Sequence, residues 1–345
     1  MLALWMISII SIFALSSGYQ ARQKAELADR IDRRNWLNGL AETGIYQAIL
    51  KIKQKKETAA AYHSLNDPFT NDRPSFKNKH LGQGAFTVSY DYRDPDDGSI
   101  KIRYGAQDEE QKINFNTAKP EIMSRLIQMI SGMDEDGADE IAYSIVDWRD
   151  ENSTSSHPKY GAEDDYYEDL DVPYESKDFN LESIDELLLI RGMTPELFEK
   201  IKPYVTVFGD GTININTTSK EVLLVLGMNE SLADKILSFR KGLDREEGTD
   251  DDRVFMNSKD IADQLNQVHS ISSGDVSLIS QLIANDQLNV SSSLFMIQSR
   301  GEISQKKQAL DMIAIADLDG KIYFWQSTGI PRRMTPIEIK NADAD

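Results

Sequence analysis

Nineteen Asp or Glu residues lie between positions 134 and 186, against only Arg149, Lys159 and Lys177, a local net of −16 in a chain whose total is −19. The acidity is therefore a local property. Carboxylates crowded in this way repel one another, and a hard divalent cation relieves the repulsion. Ca²⁺ suits such a stretch best, because it accepts oxygen ligands from flexible loops without demanding one rigid geometry. The competing reading is a solvated acidic loop. Within "DWRDENSTSSHPKYGAEDDYYEDLD" the candidate ligands are Asp147, Asp150, Glu151, Glu163, Asp164 and Asp165, with Asp169 and Asp171 left to solvent. EF-hand spacing is absent, so an affinity of roughly 10⁻⁶ to 10⁻³ M is expected.

Other chemistry is sparse. The chain has no Cys, which removes disulfides, thiolate metal sites and a Cys nucleophile. The four histidines, His63, His80, His157 and His269, fall in no metal or triad spacing. No phosphate-binding loop or nucleophile elbow occurs, and no enzyme is expected. A strongly acidic chain also argues against general nucleic-acid binding. One alternative remains open, a membrane-tethered DNA-uptake protein using helix-hairpin-helix units. It is disfavoured because residues 187–245 carry eight basic and seven acidic side chains, far short of a phosphate-binding surface.

The elements that must carry these residues are legible from period. "MLALWMISIISIFAL" opens the chain and runs without a breaker into a helical pattern to about Lys56. The apolar run is shorter than the roughly 20 residues of a full span. Arg22, Lys24, Arg30, Arg33 and Arg34 follow it and nothing basic precedes it. Taken alone, that asymmetry would keep the bulk of the chain cytoplasmic; the other reading, a basic leader upstream of Met1, is the one expected. Beyond the apolar run, Leu27, Ile31, Leu37, Leu40, Ile45, Ile49 and Ile52 recur at helical spacing and form an apolar seam expected to receive partner helices.

From Gly84 the period becomes two, and it returns near residues 294–301, 308–316 and 321–326. One antiparallel sheet is expected, built from 84–116 and 292–327. Between its halves "INFNTA" (113–118) and "ININTT" (213–218) each open a helix, Gly-Met hairpin and helix, and a third copy spans 183–201. Thr218 with Glu221 reads as a capping box, and Asn116 or Thr117 as the cap of the first copy. The fold class is thus α+β: a long N-terminal α-helix on an antiparallel sheet, with an all-helical, SAM-like repeat domain inserted between strands. The expected divisions are 1–18 in the membrane, 19–116 helix and first strands, 117–287 insertion, 288–330 returning strands and 331–345 a flexible tail.

These features in this order resemble one family, the type II secretion minor pseudopilin K (general secretion pathway protein K). The resemblance rests on the apolar helix leading into "LAETGIYQAIL", on "GQGAFTVSYDY" with "KINFNTA", on "SIVDWRDEN" followed by "YGAEDDYY", and on "TININTTSKEVLLVLGM". It implies a pilin-like fold, a single-pass inner-membrane anchor with the bulk periplasmic, and structural Ca²⁺ in the helical domain. It further implies assembly with the minor pseudopilins I, J and H at the pseudopilus tip, beside the inner-membrane secretion platform. Family precursors carry a basic leader cut by prepilin peptidase, which is the leader expected above. No nucleic acid is expected as a partner.

Overall fold

The computed structural model describes residues 2–57, 62–303, 307–327 and 332–333. One helix, Leu2–Glu57, accounts for the first 56 of them. At 1.5 Å rise per residue it is about 80 Å long. Its N-terminal part projects free, and no helix among the described residues is long and apolar enough to cross a membrane. Its C-terminal part lies on a sheet. Leu37, Leu40, Ala41, Ile45, Ala48, Ile49 and Ile52 are buried there against Phe86, Val88, Ile297, Leu310, Met312 and Ala314.

The sheet runs Lys79–Leu81, Gly84–Val88, Leu294–Ile303, Gln308–Asp317, Ile322–Ser327, every pairing antiparallel. The central strand, Leu294–Ile303, comes from the far end of the chain and pairs with Gly84–Val88 from the near end. Everything between 108 and 292 is therefore an excursion from adjacent strands. Helix and sheet approach closely at two glycines. A Cβ at Gly44 would strike Ser299 Oγ, and one at Gly301 would strike the Leu37 carbonyl oxygen. Of the tail expected at 331–345, Arg332–Arg333 pairs with Gln308–Ala309, and the rest lies outside the described residues.

Two expectations are corrected. Tyr90–Arg93 and Ile100–Arg103 pair only with each other, because the hairpin is drawn to the loop around Glu247. Arg103 lies 3.7 Å over the Tyr92 ring and donates to the Glu247 carbonyl at 2.5 Å, while Tyr92 donates to the Glu247 carboxylate. Ile113–Asn114 likewise leaves the main sheet and pairs in parallel with Val205–Thr206.

The excursion contains two versions of one unit. In the first, Ile113–Asn114 leads to helices Pro120–Ser131 and Glu135–Arg149 around Gly132. In the second, Ile213–Asn214 leads to Lys220–Val225 and Glu230–Arg240 around Gly227. Both glycines have positive φ, which Gly adopts at no steric cost. Each opening strand pairs in parallel with a later one, Val205–Thr206 or Leu288–Asn289. The turns share their internal bonds. Asn114 Oδ1 accepts from the Asn116 amide at 2.8 Å, and Asn214 Oδ1 from the Asn216 amide at 3.0 Å. Arg149 donates to the carbonyls of Phe115 and Ala118, and Arg240 to those of Ile215 and Thr218.

This geometry corrects the caps. Asn116 cannot cap the first helix, because its side chain bonds Leu181 and Val207. Lys119 takes the N-cap position without a side-chain bond, and Pro120 removes one of the donors a cap would satisfy. In the second unit Ser219 caps Val222, while Thr218 donates to the Gln111 carbonyl. The third copy does hold a capping box, Ser183 with Glu186, ahead of Gly192 and helix Pro195–Ile201.

Candidate functional site

The acidic stretch begins at the end of helix Glu135–Arg149, which carries Asp147 inward. Asp147 is fully buried, and its carboxylate accepts from the Ser156 amide at 2.8 Å and the Ser155 hydroxyl at 3.1 Å. Gly161, at φ 100°, lies against Asp147 so closely that a Cβ would collide with the carboxylate. Two residues on, both carboxylate oxygens of Glu163 are shielded from water and accept no hydrogen bond. Burial pushes the Glu163 carboxyl up to about 7, with further contributions from Asp147, Asp150, Asp178 and Asp164. Burial also raises Asp150, reinforced by Asp147 and Asp178.

Of the expected ligands, Asp147 and Asp150 lie near enough to Glu163 to raise its carboxyl, but among the described residues the three do not bring their carboxylate oxygens within 4.8 Å of one another. Asp164 turns to Ser176, accepting from its amide at 2.7 Å and its hydroxyl at 2.6 Å. Those donors hold Asp164 below the usual carboxylate range. Glu151 and Asp165 are exposed. The residue that sequence reasoning missed is Asp178. Its amide donates to the Trp148 carbonyl at 3.1 Å, which returns the chain to the site, and its φ is 53°. No local spacing marks it, because a contact 30 residues distant places it.

A second acidic group differs in kind. Among the described residues, Asp244, Asp251 and Asp252 bring three carboxylates within 4.8 Å of one another. Asp251 already accepts from the amides of Leu243 at 2.6 Å and Asp244 at 3.1 Å and from Thr249 at 2.9 Å. Those donors draw it down to about 2. Asp252 accepts from the Gly248 amide at 2.7 Å. These carboxylates organise their own loop, whereas Glu163 has no donor.

The apolar seam expected for partner helices divides at Leu37. Leu37, Leu40, Ile45, Ile49 and Ile52 are buried against the chain's own sheet, so they are not open to a partner. The sheet ends below Leu37, which leaves Leu27 (58% exposed) and Ile31 (50%) uncovered. The Gly-Met hairpins face inward. Met193 and Met228 are buried, and a Cβ at Gly192 would press on Ile141. Their amides bond within the domain, Met193 to Ile190 and Met228 to Leu223, so no phosphate cradle is presented. His157 stacks on Tyr160 and packs tilted against Tyr143, with centroids 4.7 and 4.6 Å away.

Residues 91–210 match the family described as type II secretion system (T2SS), protein K. Two curated proteins named type II secretion system protein K are similar to it. That of Pectobacterium carotovorum is 31% identical over 121 residues, 34% of this chain and 36% of the relative. That of Aeromonas hydrophila is 36% identical over 89 residues, 25% and 27% of the two chains. The putative protein K of Escherichia coli K12 is 27% identical over 134 residues, 35% and 40% of the two. The chain thus spans about a third of the length of the curated relatives it matches. Its fold resembles a chain in the crystal structure of the GspK-GspI-GspJ complex from the enterotoxigenic Escherichia coli type 2 secretion system. That likeness has a TM-score of 0.64 at 20% identity and covers 89% of this chain and 99% of the other.

Proposed function

We propose that this chain is a type II secretion system protein K, the minor pseudopilin that sits at the tip of the pseudopilus and supports export of folded proteins. The observation that carries the reading is the placement of a bulky helical domain between two adjacent strands of a helix-on-sheet subunit. Helix-on-sheet subunits stack through their long helices, and a domain of about 180 residues at one end obstructs the next subunit. Such a chain can finish or start a filament and cannot propagate it. Its partners are then the minor pseudopilins I, J and H and the inner-membrane secretion platform, and its role is structural, without catalysis.

Membrane anchoring fits the start of the helix. Trp5, Ile7, Ile10, Ile12, Phe13 and Leu15 are exposed on all sides of it, and a helix apolar all round needs an apolar environment. The anchor proposed is a single inner-membrane pass, with the sheet and insertion in the periplasm.

Ca²⁺ is proposed as a structural ligand held by Glu163, Asp147, Asp150 and Asp178. The support is the donorless carboxylate of Glu163 among three others. An ion there would neutralise their repulsion and tie the loop after Arg149 to the segment around Asp178.

Immunogold labelling of assembled pseudopili tests the tip reading. Label confined to one filament end is expected; label distributed along the shaft would overturn it.

A further inference from the structure

The two copies of the repeated turn differ in one respect. In the first, the Asn114 amide closes on its own neighbourhood, donating to the carbonyls of Phe208 and Gly209 at 3.0 and 2.8 Å. Thr117 reaches only the Asn114 carbonyl, at 3.4 Å. In the second, the same two residues reach out of the insertion. Asn214 Nδ2 and Thr217 Oγ1 donate to Asp108 Oδ2 at 3.0 and 2.6 Å. Asp108 belongs to the main sheet, paired opposite Phe295. The same oxygen accepts from Ser292 Oγ at 2.6 Å, where the chain re-enters the sheet.

We propose that Asp108 is the positioning residue that sets the direction in which the helical insertion leaves the sheet. One buried carboxylate gathers the start of the excursion, its second turn and its end. Three donors converge on one oxygen, and the other accepts from the Glu110 amide at 2.8 Å. His63 completes the joint from the loop after the long helix. Its carbonyl accepts from Asn214 at 3.1 Å, and its Nδ1 accepts from the Ser292 amide at 3.0 Å. Asp108, Asn214, Thr217, Ser292 and His63 are all buried. A network this dry has no water to replace a lost partner, so removing its hub leaves Asn214, Thr217 and Ser292 each short of a bond. Bonds to the Asp108 carboxylate from the second turn and from Ser292, braced by the His63 bonds, therefore fix an angle that apolar contact alone would leave adjustable. The consequence for assembly rests on the tip reading: an insertion of fixed direction presents one face to partner pseudopilins.

The absence of Cys allows clean paired spin labelling of the full chain in detergent. Labels at Tyr323→Cys on the edge strand and Val172→Cys on the insertion occupy exposed sites. A single narrow distance distribution is expected for the unmodified joint. Asp108→Ala is expected to broaden it about twofold or more, and Thr217→Val to broaden it less. Asn114→Ala removes the equivalent residue of the first copy. It is expected to lower the melting temperature and leave the distance unchanged, which separates positioning from mere stability. If Asp108→Ala does not fold, Thr217→Val and Ser292→Ala carry the test. Distributions as narrow as the parent's in the Asp108 or Thr217 variants, or equal broadening in Asn114→Ala, would overturn the proposal. Binding to pseudopilins I and J is expected to fall severalfold for Asp108→Ala alone. Broadened distances with undiminished binding would establish the joint and count against the tip reading, so the two failures are distinct.

Discussion

Replacing Glu163 by Gln is expected to stabilise the cation-free protein at neutral pH and to leave it unchanged in acid. Glu163 is held at about 7, against 4.5 for an unperturbed Glu. A folded-state value above the unfolded one means that the native chain binds the extra proton. Its contribution is fully present below about 4.5 and is lost as pH rises through about 7. A shift of this size corresponds to roughly 3 kcal/mol at 1.36 kcal/mol per unit. Water near this surface loop screens the repulsion, so about 1–2 kcal/mol is expected. Gln keeps the shape without the charge. Urea melts of both proteins in chelator are therefore expected to coincide at pH 4.5 and to separate by about 1–2 kcal/mol at pH 7.5, with Gln more stable. Glu110, also raised to about 7 by burial and Asp108, titrates in both proteins and cancels in the difference. Saturating Ca²⁺ is expected to invert the order, adding about 2.7 kcal/mol to the parent at a hundredfold excess over Kd. A constant difference at both pH values, with no response to Ca²⁺, would refute the reasoning.

Other perturbations test other joints. Breaking the buried Arg240–Glu247 pair, 2.5 Å apart, by Arg240→Ala is expected to cost about 3–5 kcal/mol, because it strands a buried charge and frees the second turn; chemical denaturation measures it. Gly301→Val drives a side chain into the Leu37 backbone and is expected to cost about 1–3 kcal/mol or more, read as a lower urea midpoint. Leu27→Asp with Ile31→Asp alters only exposed positions. Melting of the isolated chain is expected within about 0.5 kcal/mol of the parent, while binding to the pseudopilins proposed as partners falls, as measured by co-purification.

Much of the architecture was legible because it depends on period and glycine. The 3.6-residue spacing from Leu27 to Ile52 located the long helix, and period two at both ends of the chain located the sheet. The repeated Asn-X-Asn-Thr turns and Gly-Met hairpins marked the insertion. Partner choice was not legible. Tyr90–Tyr92 alternates like any strand, yet Arg103 and Glu247, 144 residues apart, decide which surface it joins. The apolar stripe of the helix does not state where the sheet stops beneath it. Capping followed the same pattern, since Ser219 and Thr218 are chemically similar and only the Gln111 carbonyl separates their roles. At the acidic site the sequence offered six candidates without separating buried Asp147 from exposed Glu151 and Asp165, and Asp178 comes near only because the fold brings residue 178 to Trp148.

The central claim is that this subunit terminates an assembly of unlike subunits. Native mass spectrometry of the full chain co-expressed with pseudopilins I and J tests it most directly. A discrete complex containing one copy of this chain is expected, and no homopolymer when the chain is expressed alone. A regular filament formed by this chain by itself would contradict it.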